Sequence, residues 1–238
     1  MDKKKPALPD FTSFLSKKEL LFVLAYAPVH IVLLPMLLNT FAVRGAISDT
    51  AANFLCYAIS AVFLAFVCFR FLRRDFDPLA DRPFHCLVEV LTGYFTMMCM
   101  NFCVAYIIVL ILPNTENPNN ADVMELVFKD YGMMKATTVF LAPIVEELIF
   151  RAGIFGGLYD RNKKLAYAVS ALLFALFHVW AYAFAEPVYW VYLLEYIPVA
   201  LLLARCYERT NSIWCSVFFH MLNNSIAIKT LDMLQEMM

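Results

Sequence analysis

Pro143-Ile-Val-Glu-Glu-Leu-Ile-Phe-Arg-Ala-Gly-Ile-Phe-Gly-Gly157 sets Glu146, Glu147 and Arg151 inside an otherwise apolar run. The apolar character continues outward, back through Val139-Phe140-Leu141 and on to Leu158. One charge at the centre of a bilayer costs about 2.5–3.5 kcal/mol even on lenient insertion scales. Three such groups within six residues need a scaffold that tolerates them and a reason to be kept.

The rest of the 238-residue chain supplies that scaffold. It is 62% hydrophobic and 16% charged, against about 45–50% and 25% in soluble domains. The excess falls in blocks of about 17–27 residues, the length a helix needs to cross a hydrocarbon core about 30 Å thick. The fold expected is all-α, a polytopic transmembrane helix bundle of about seven spans, with membrane lipids as its surroundings. A net charge of −1 gives no electrostatic footprint for nucleic acid. The seven cysteines sit mostly in apolar blocks with no CxxC pair. They read as small buried hydrophobes rather than a disulfide framework or a thiolate metal site.

Residues 1–19 form a polar, basic lead, too rich in Pro and charge for a cleaved signal. Residues 20–135 carry three spans, near Leu20–Val43, Ala51–Leu72 and Leu87–Leu112. A turn-rich loop and a short surface helix near Asp122–Gly132 follow. Residues 136–228 carry four more, near Ala136–Tyr159, Leu165–Phe184, Val188–Ala204 and Ser212–Ile228, and 229–238 form a tail. His30 reads as a structural polar group, and His85 and Glu89 as interfacial. Seven spans place 14 basic residues on one face, including Arg70, Arg73, Arg74, Arg82, Arg161, Lys163, Lys164, Arg205 and Arg209. Arg44, Lys129, Lys135 and Lys229 fall on the other. Basic loops stay cytoplasmic, so the N-terminus is expected inside, in the cell membrane.

Depth then singles out a site. At 1.5 Å per residue, Glu146 and His178 each lie about 13 residues from the inner ends of their spans, Asn224 about 12 and His220 about 8. Groups from three helices thus share one level. Glu147 and Arg151, four apart on one face, suit an ion pair, and Glu146 is turned about 100° away as the free carboxylate. Phe174 shares a face with His178, and His220 with Asn224. Gly153, Gly156 and Gly157 allow a neighbouring helix to approach closely. Glu195, near the middle of the sixth span, could pair with Arg151, which would make Arg151 a bridge between the fourth and sixth spans.

A carboxylate beside an imidazole can hold and deprotonate a water. A His and an Asn can donate to a developing oxyanion. That suits peptide hydrolysis. Glu146, His178 and His220 could instead ligate a divalent metal such as zinc. Three other readings remain open at this point: a purely structural polar cluster, an ion-coupled transporter, and a non-catalytic membrane binding or immunity protein.

The ordered set Glu146-Glu147-x-x-x-Arg151, Phe174-x-x-x-His178 and His220-x-x-x-Asn224, one motif per helix, resembles the CAAX-protease and bacteriocin-processing (CPBP, or Abi) family of intramembrane endopeptidases. That family includes the Ras-converting CAAX endoprotease and lysostaphin resistance protein A-like proteins. The resemblance covers about Ala136–Ile228. It implies Glu146 and His178 as the water-activating pair, His220 and Asn224 as the oxyanion side, and Glu147 and Arg151 as supports. It also implies a membrane-associated protein or peptide substrate, with prenylated CAAX proteins as one class, and a cytoplasm-side opening. The chain has no HExxH, GxSG or GxGD signature of the other intramembrane protease classes.

Overall fold

Polar residues between the apolar blocks start the helices. Ser16 closes a capping box with Glu19 at the head of α1 (Lys17–Val43). Ser48 caps α2 (Asp49–Val67), and Asn162 caps α6 (Lys163–Ala185) through the Leu165 amide. Asn117 caps α4 (Pro118–Lys129), the surface helix, which begins with proline at its first position. The remaining long helices are α3 (Pro83–Ile111), α5 (131–159), α7 (Pro187–Thr210) and α8 (Ile213–Glu236). This computed structural model describes residues 10–113 and 115–236. Lys3, Lys4 and Lys5 of the basic lead lie outside them.

The described residues are helical with no strand, as the apolar blocks require. In a bilayer only helices or closed barrels satisfy every backbone group. Five helices, α1, α2, α3, α6 and α7, are long and apolar enough to cross a membrane. The other two expected spans, α5 and α8, are the helical runs that carry Glu146, Glu147, Arg151, His220 and Asn224. On α3, Leu87, Leu91, Phe95, Met98, Phe102, Tyr106 and Val109 are exposed at three- and four-residue spacing, which is a lipid-facing stripe. The last helix runs on to Glu236 instead of stopping at Ile228.

Several features depart from the sequence reading. The span α5 is not a regular α-helix: Ala136–Leu141 and Glu147–Phe155 are π-helical, with α segments around them. Such segments concentrate at functional sites. The glycines do admit a neighbour, and it is α1: a Cβ on Gly153 would meet Val23 at 2.9 Å, and one on Gly157 would meet Leu20 at 3.2 Å. Cys86 and Cys215 are joined, tying α3 to α8 against the expectation of free thiols. Partners 129 residues apart leave no local trace in the sequence.

The segment before α1 closes one end of the bundle. The Phe11 ring packs on Tyr159 and Tyr207 at centroid distances of 4.7 and 4.9 Å. The Thr12 amide donates to Asn211 Oδ1 at 2.7 Å, and Asn211 takes the left-handed conformation that asparagine tolerates. Buried Asp75, in the connection between α2 and α3, accepts from Ser13 and from the Ile213 amide at the head of α8. Burial pushes its carboxyl up to about 6, against those two hydrogen bonds. The folded protein thus keeps a proton that the unfolded chain releases above its ordinary 3.8. Asp75 therefore favours the fold most below that value, and its contribution declines as pH rises to about 6. Asp75→Asn is expected to flatten this part of a Tm curve measured in detergent between about pH 4 and 7.

Candidate active site

Glu146, Glu147 and Arg151 are all buried in α5. Arg151 Nε lies 3.3 Å from Glu147 Oε2, the expected ion pair. The guanidinium also sits over the Phe174 ring at 4.2 Å and reaches the Ala200 carbonyl at 3.5 Å. Glu147 does more than the sequence suggested. Its Oε2 accepts from Ser216 Oγ at 2.6 Å, and its Oε1 lies 2.9 Å from His220 Nδ1. The π-helical turn that begins at Glu147 thus fixes α8 as well as Arg151.

Glu146 projects to the other side. Its Oε1 accepts from Tyr57 on α2 at 3.2 Å, whereas its Oε2 is buried without a hydrogen-bond partner. Both His178 Nε2 and His220 Nε2 lie 3.8 Å from that orphan oxygen. Their tautomers follow from what the other nitrogens touch. His178 Nδ1 meets the Phe174 carbonyl at 2.9 Å, and a carbonyl only accepts, so Nδ1 carries the proton. His220 Nδ1 meets a carboxylate, with the same result for a neutral ring. Three lone pairs therefore converge with no proton between them: Glu146 Oε2 and two Nε2 atoms. Phe174 fills the space beside both rings, 4.6 Å from His178 and 5.9 Å from His220.

Asn224 stands on the same cavity, and its Nδ2 donates to the Thr138 carbonyl at 2.8 Å. A missing proton frees that carbonyl. In the π register the Ala142 amide bonds Thr137, and the next amide in line would be that of Pro143, which has none. Pro143→Ala would supply an N–H that competes with Asn224. The expected result is a fall in turnover of roughly tenfold, the worth of about one hydrogen bond, without a matching loss of Tm. Steady-state kinetics paired with thermal melts would check it.

Three polar groups the sequence reading passed over also line the cavity: Tyr57, Tyr196, stacked 4.5 Å from His178, and Asn223. An aromatic within an apolar span reads as bulk, and only its mid-span hydroxyl hints otherwise. The Glu195–Arg151 pair is absent. Glu195 accepts from Asn117 at 2.6 Å and has no ion pair among the described residues. Regular helix begins only at Leu193, after a 3-10 segment, so Glu195 stands in its first turn rather than mid-span. His30 Nδ1 meets Ser60 Oγ at 2.9 Å while its Nε2 is buried without a partner, and Glu89 pairs with Arg209 at 2.7 Å. The cavity, about 550 Å³, opens toward Asn119 and Asn120 of α4 and Thr230 of α8. This is the end away from the basic loops.

Glu146, His178 and His220 have the donor chemistry of a metal site. Among the described residues no group of three His, Cys, Asp or Glu side chains is drawn in to ligand spacing; these three are the ones that would hold a divalent ion, and it would acidify a bound water.

Fold and site together define an integral membrane protein with a buried carboxylate–imidazole centre at the floor of a polar cavity. Residues 131–226 match the family model described as type II CAAX prenyl endopeptidase Rce1-like, which bears out the resemblance read from the motifs. The chain is 29% identical over 114 residues to "Putative membrane peptidase YdiL" of Bacillus subtilis, covering 48% of this chain and 43% of that one. It is 37% identical over 95 residues to "UPF0177 protein YxdF" of Lactococcus lactis, covering 39% and 48%. The chain thus spans less than half the length of each. No solved structure matches. At family level these matches support a membrane peptidase.

Proposed function

We propose that the protein is an intramembrane endopeptidase that cleaves a peptide bond of a membrane-associated substrate with a water held by Glu146 and His178. The observation that carries this reading is the orphan Glu146 Oε2 facing the unprotonated Nε2 of His178 at 3.8 Å. Two acceptors at that spacing suit a water about 2.8 Å from each, donating both of its hydrogens. Its lone pairs then point away from both, free for attack.

In the step proposed, the water gives a proton to Glu146 as its oxygen bonds to the scissile carbonyl carbon. The oxyanion receives a hydrogen bond from the second Nδ2 proton of Asn224. His220, whose Nδ1 proton Glu147 holds at 2.9 Å, turns its Nε2 as an acceptor toward the same water and helps to orient it. Collapse breaks the C–N bond, and the amine leaves with the proton Glu146 holds. The hydroxyl stays on the acyl fragment.

The test is cleavage of a peptide library by purified protein, with metal content measured on the same sample. His178→Ala is expected to abolish cleavage while the protein stays folded and inserted. Full activity in that variant overturns the assignment.

A further inference from the structure

Access to the site is closed at one end and open at the other, and charge says which end is which. At the closed end, Phe11 and Ser13 are buried against Tyr159, Tyr207 and Asp75. The hydroxyls of Tyr159 and Tyr167 and the Lys163 ammonium converge there on Glu208. That end also collects Arg70, Arg73, Arg74 and Arg82, then Arg161 and Lys164, then Arg205 and Arg209. At the open end the described residues place only Arg44, Lys129, Lys135 and Lys229. Lys/Arg-rich short loops stay in the cytoplasm. The Cys86–Cys215 pair lies toward the closed end, but both residues are buried within helices and so exposed to neither compartment.

The lining names the chemistry. Asn53, Asn101, Asn119, Asn120, Asn223 and Asn224 all face the cavity. The side-chain oxygens of Asn53 and Asn101 are buried there without a partner. An amide side chain offers one acceptor and two donors, the complement of a peptide group. Two unpaired amide oxygens along a cavity suit the N–H groups of an extended backbone, and the other amides, paired mostly with one another and with Tyr196, can exchange those bonds for peptide groups.

We infer that the substrate is an extended polypeptide segment presented at the non-cytoplasmic face of the membrane, drawn through the asparagine-lined mouth to Glu146. This rests on the endopeptidase reading. It replaces a lipidated C-terminus arriving from the cytoplasm, which would meet the closed end.

The test separates side from catalysis. In a Cys99→Ser/Cys103→Ser background, Glu125→Cys (on α4) and Arg161→Cys are placed singly at exposed positions and treated in intact cells with a membrane-impermeant maleimide. Glu125→Cys is expected to label at once, and Arg161→Cys only after permeabilisation. The reverse pattern overturns the inference whether or not the protein is a protease. Two membrane-anchored reporters then carry the same cleavable peptide on opposite faces. Only the non-cytoplasmic one is expected to be cut, and a bulky impermeant maleimide on Asn120→Cys should block that cut. Cutting of the cytoplasmic reporter alone overturns the inference even with the expected labelling.

Discussion

Glu146→Gln is expected to lower kcat/KM by about 10³-fold or more, within the range for loss of a positioned general base, while Tm in detergent holds or rises. Both halves come from the same geometry. Glutamine keeps the shape and can still accept from Tyr57 at its oxygen. Its new NH2 group faces the two Nε2 lone pairs that now stand 3.8 Å from an unpartnered oxygen. The amide satisfies them, and it takes no proton from water. A protein that becomes at least as stable as it becomes inactive is the mark of a site held for chemistry. A binding or immunity protein would keep its cellular role with glutamine here. A transporter would instead show substrate-dependent ion flux in liposomes. Retained cleavage by Glu146→Gln would remove the proposed mechanism.

The second large effect is on the fold. Arg151→Met is expected to cost about 3–5 kcal/mol, because it leaves the Glu147 carboxylate buried without its cation. For a chain of this size that is a fall in Tm of about 10 °C. Arg151 is fully buried, and its contacts on Glu147, Phe174 and Ala200 are all internal. Combining Arg151→Met with Glu147→Gln should recover much of the stability, since no lone charge remains. Activity should not return with it. A neutral amide can turn its NH2 instead of its oxygen to His220 Nδ1, and so no longer fixes the tautomer that leaves Nε2 an acceptor. Melts and kinetics on the two single variants and the double decide it. Equal recovery of stability and turnover would reduce Glu147 to a purely structural part.

The sequence carried the level at which Glu146, His178 and His220 meet, because helix rise converts residue counts to depth along the regular α6 and α8, and the π-helical stretch of α5 is short enough to leave Glu146 near that level. It failed where regularity failed. Counting placed Glu195 mid-membrane by assuming one helix from Val188, and the 3-10 start moved it to the first turn. The same counting treated Glu147 as finished once paired with Arg151. A second partner on another helix, His220, depends on helix rotation, which sequence spacing within one helix does not fix. The link from Pro143 through the Thr138 carbonyl to Asn224 needed the π register, which has no composition signal. Tyr57 and the asparagines of the cavity were visible as residues, but without packing they had no common destination. The closure by Phe11 and Ser13 depends on contacts nearly two hundred residues away, and a reading by local pattern stops well short of that distance.

That closure has a temporal consequence. Thr12 bonds Asn211 across 199 residues, and Ser13 meets Tyr207 across 194. A chain made from its N-terminus holds Phe11 ready long before Tyr207 and Asn211 exist. The segment therefore docks only after α7 has been synthesised. Asp75 likewise waits for the Ile213 amide before its second oxygen is satisfied. The first residues described are among the last to find their places, so the closed end seals only as the final helix begins to emerge.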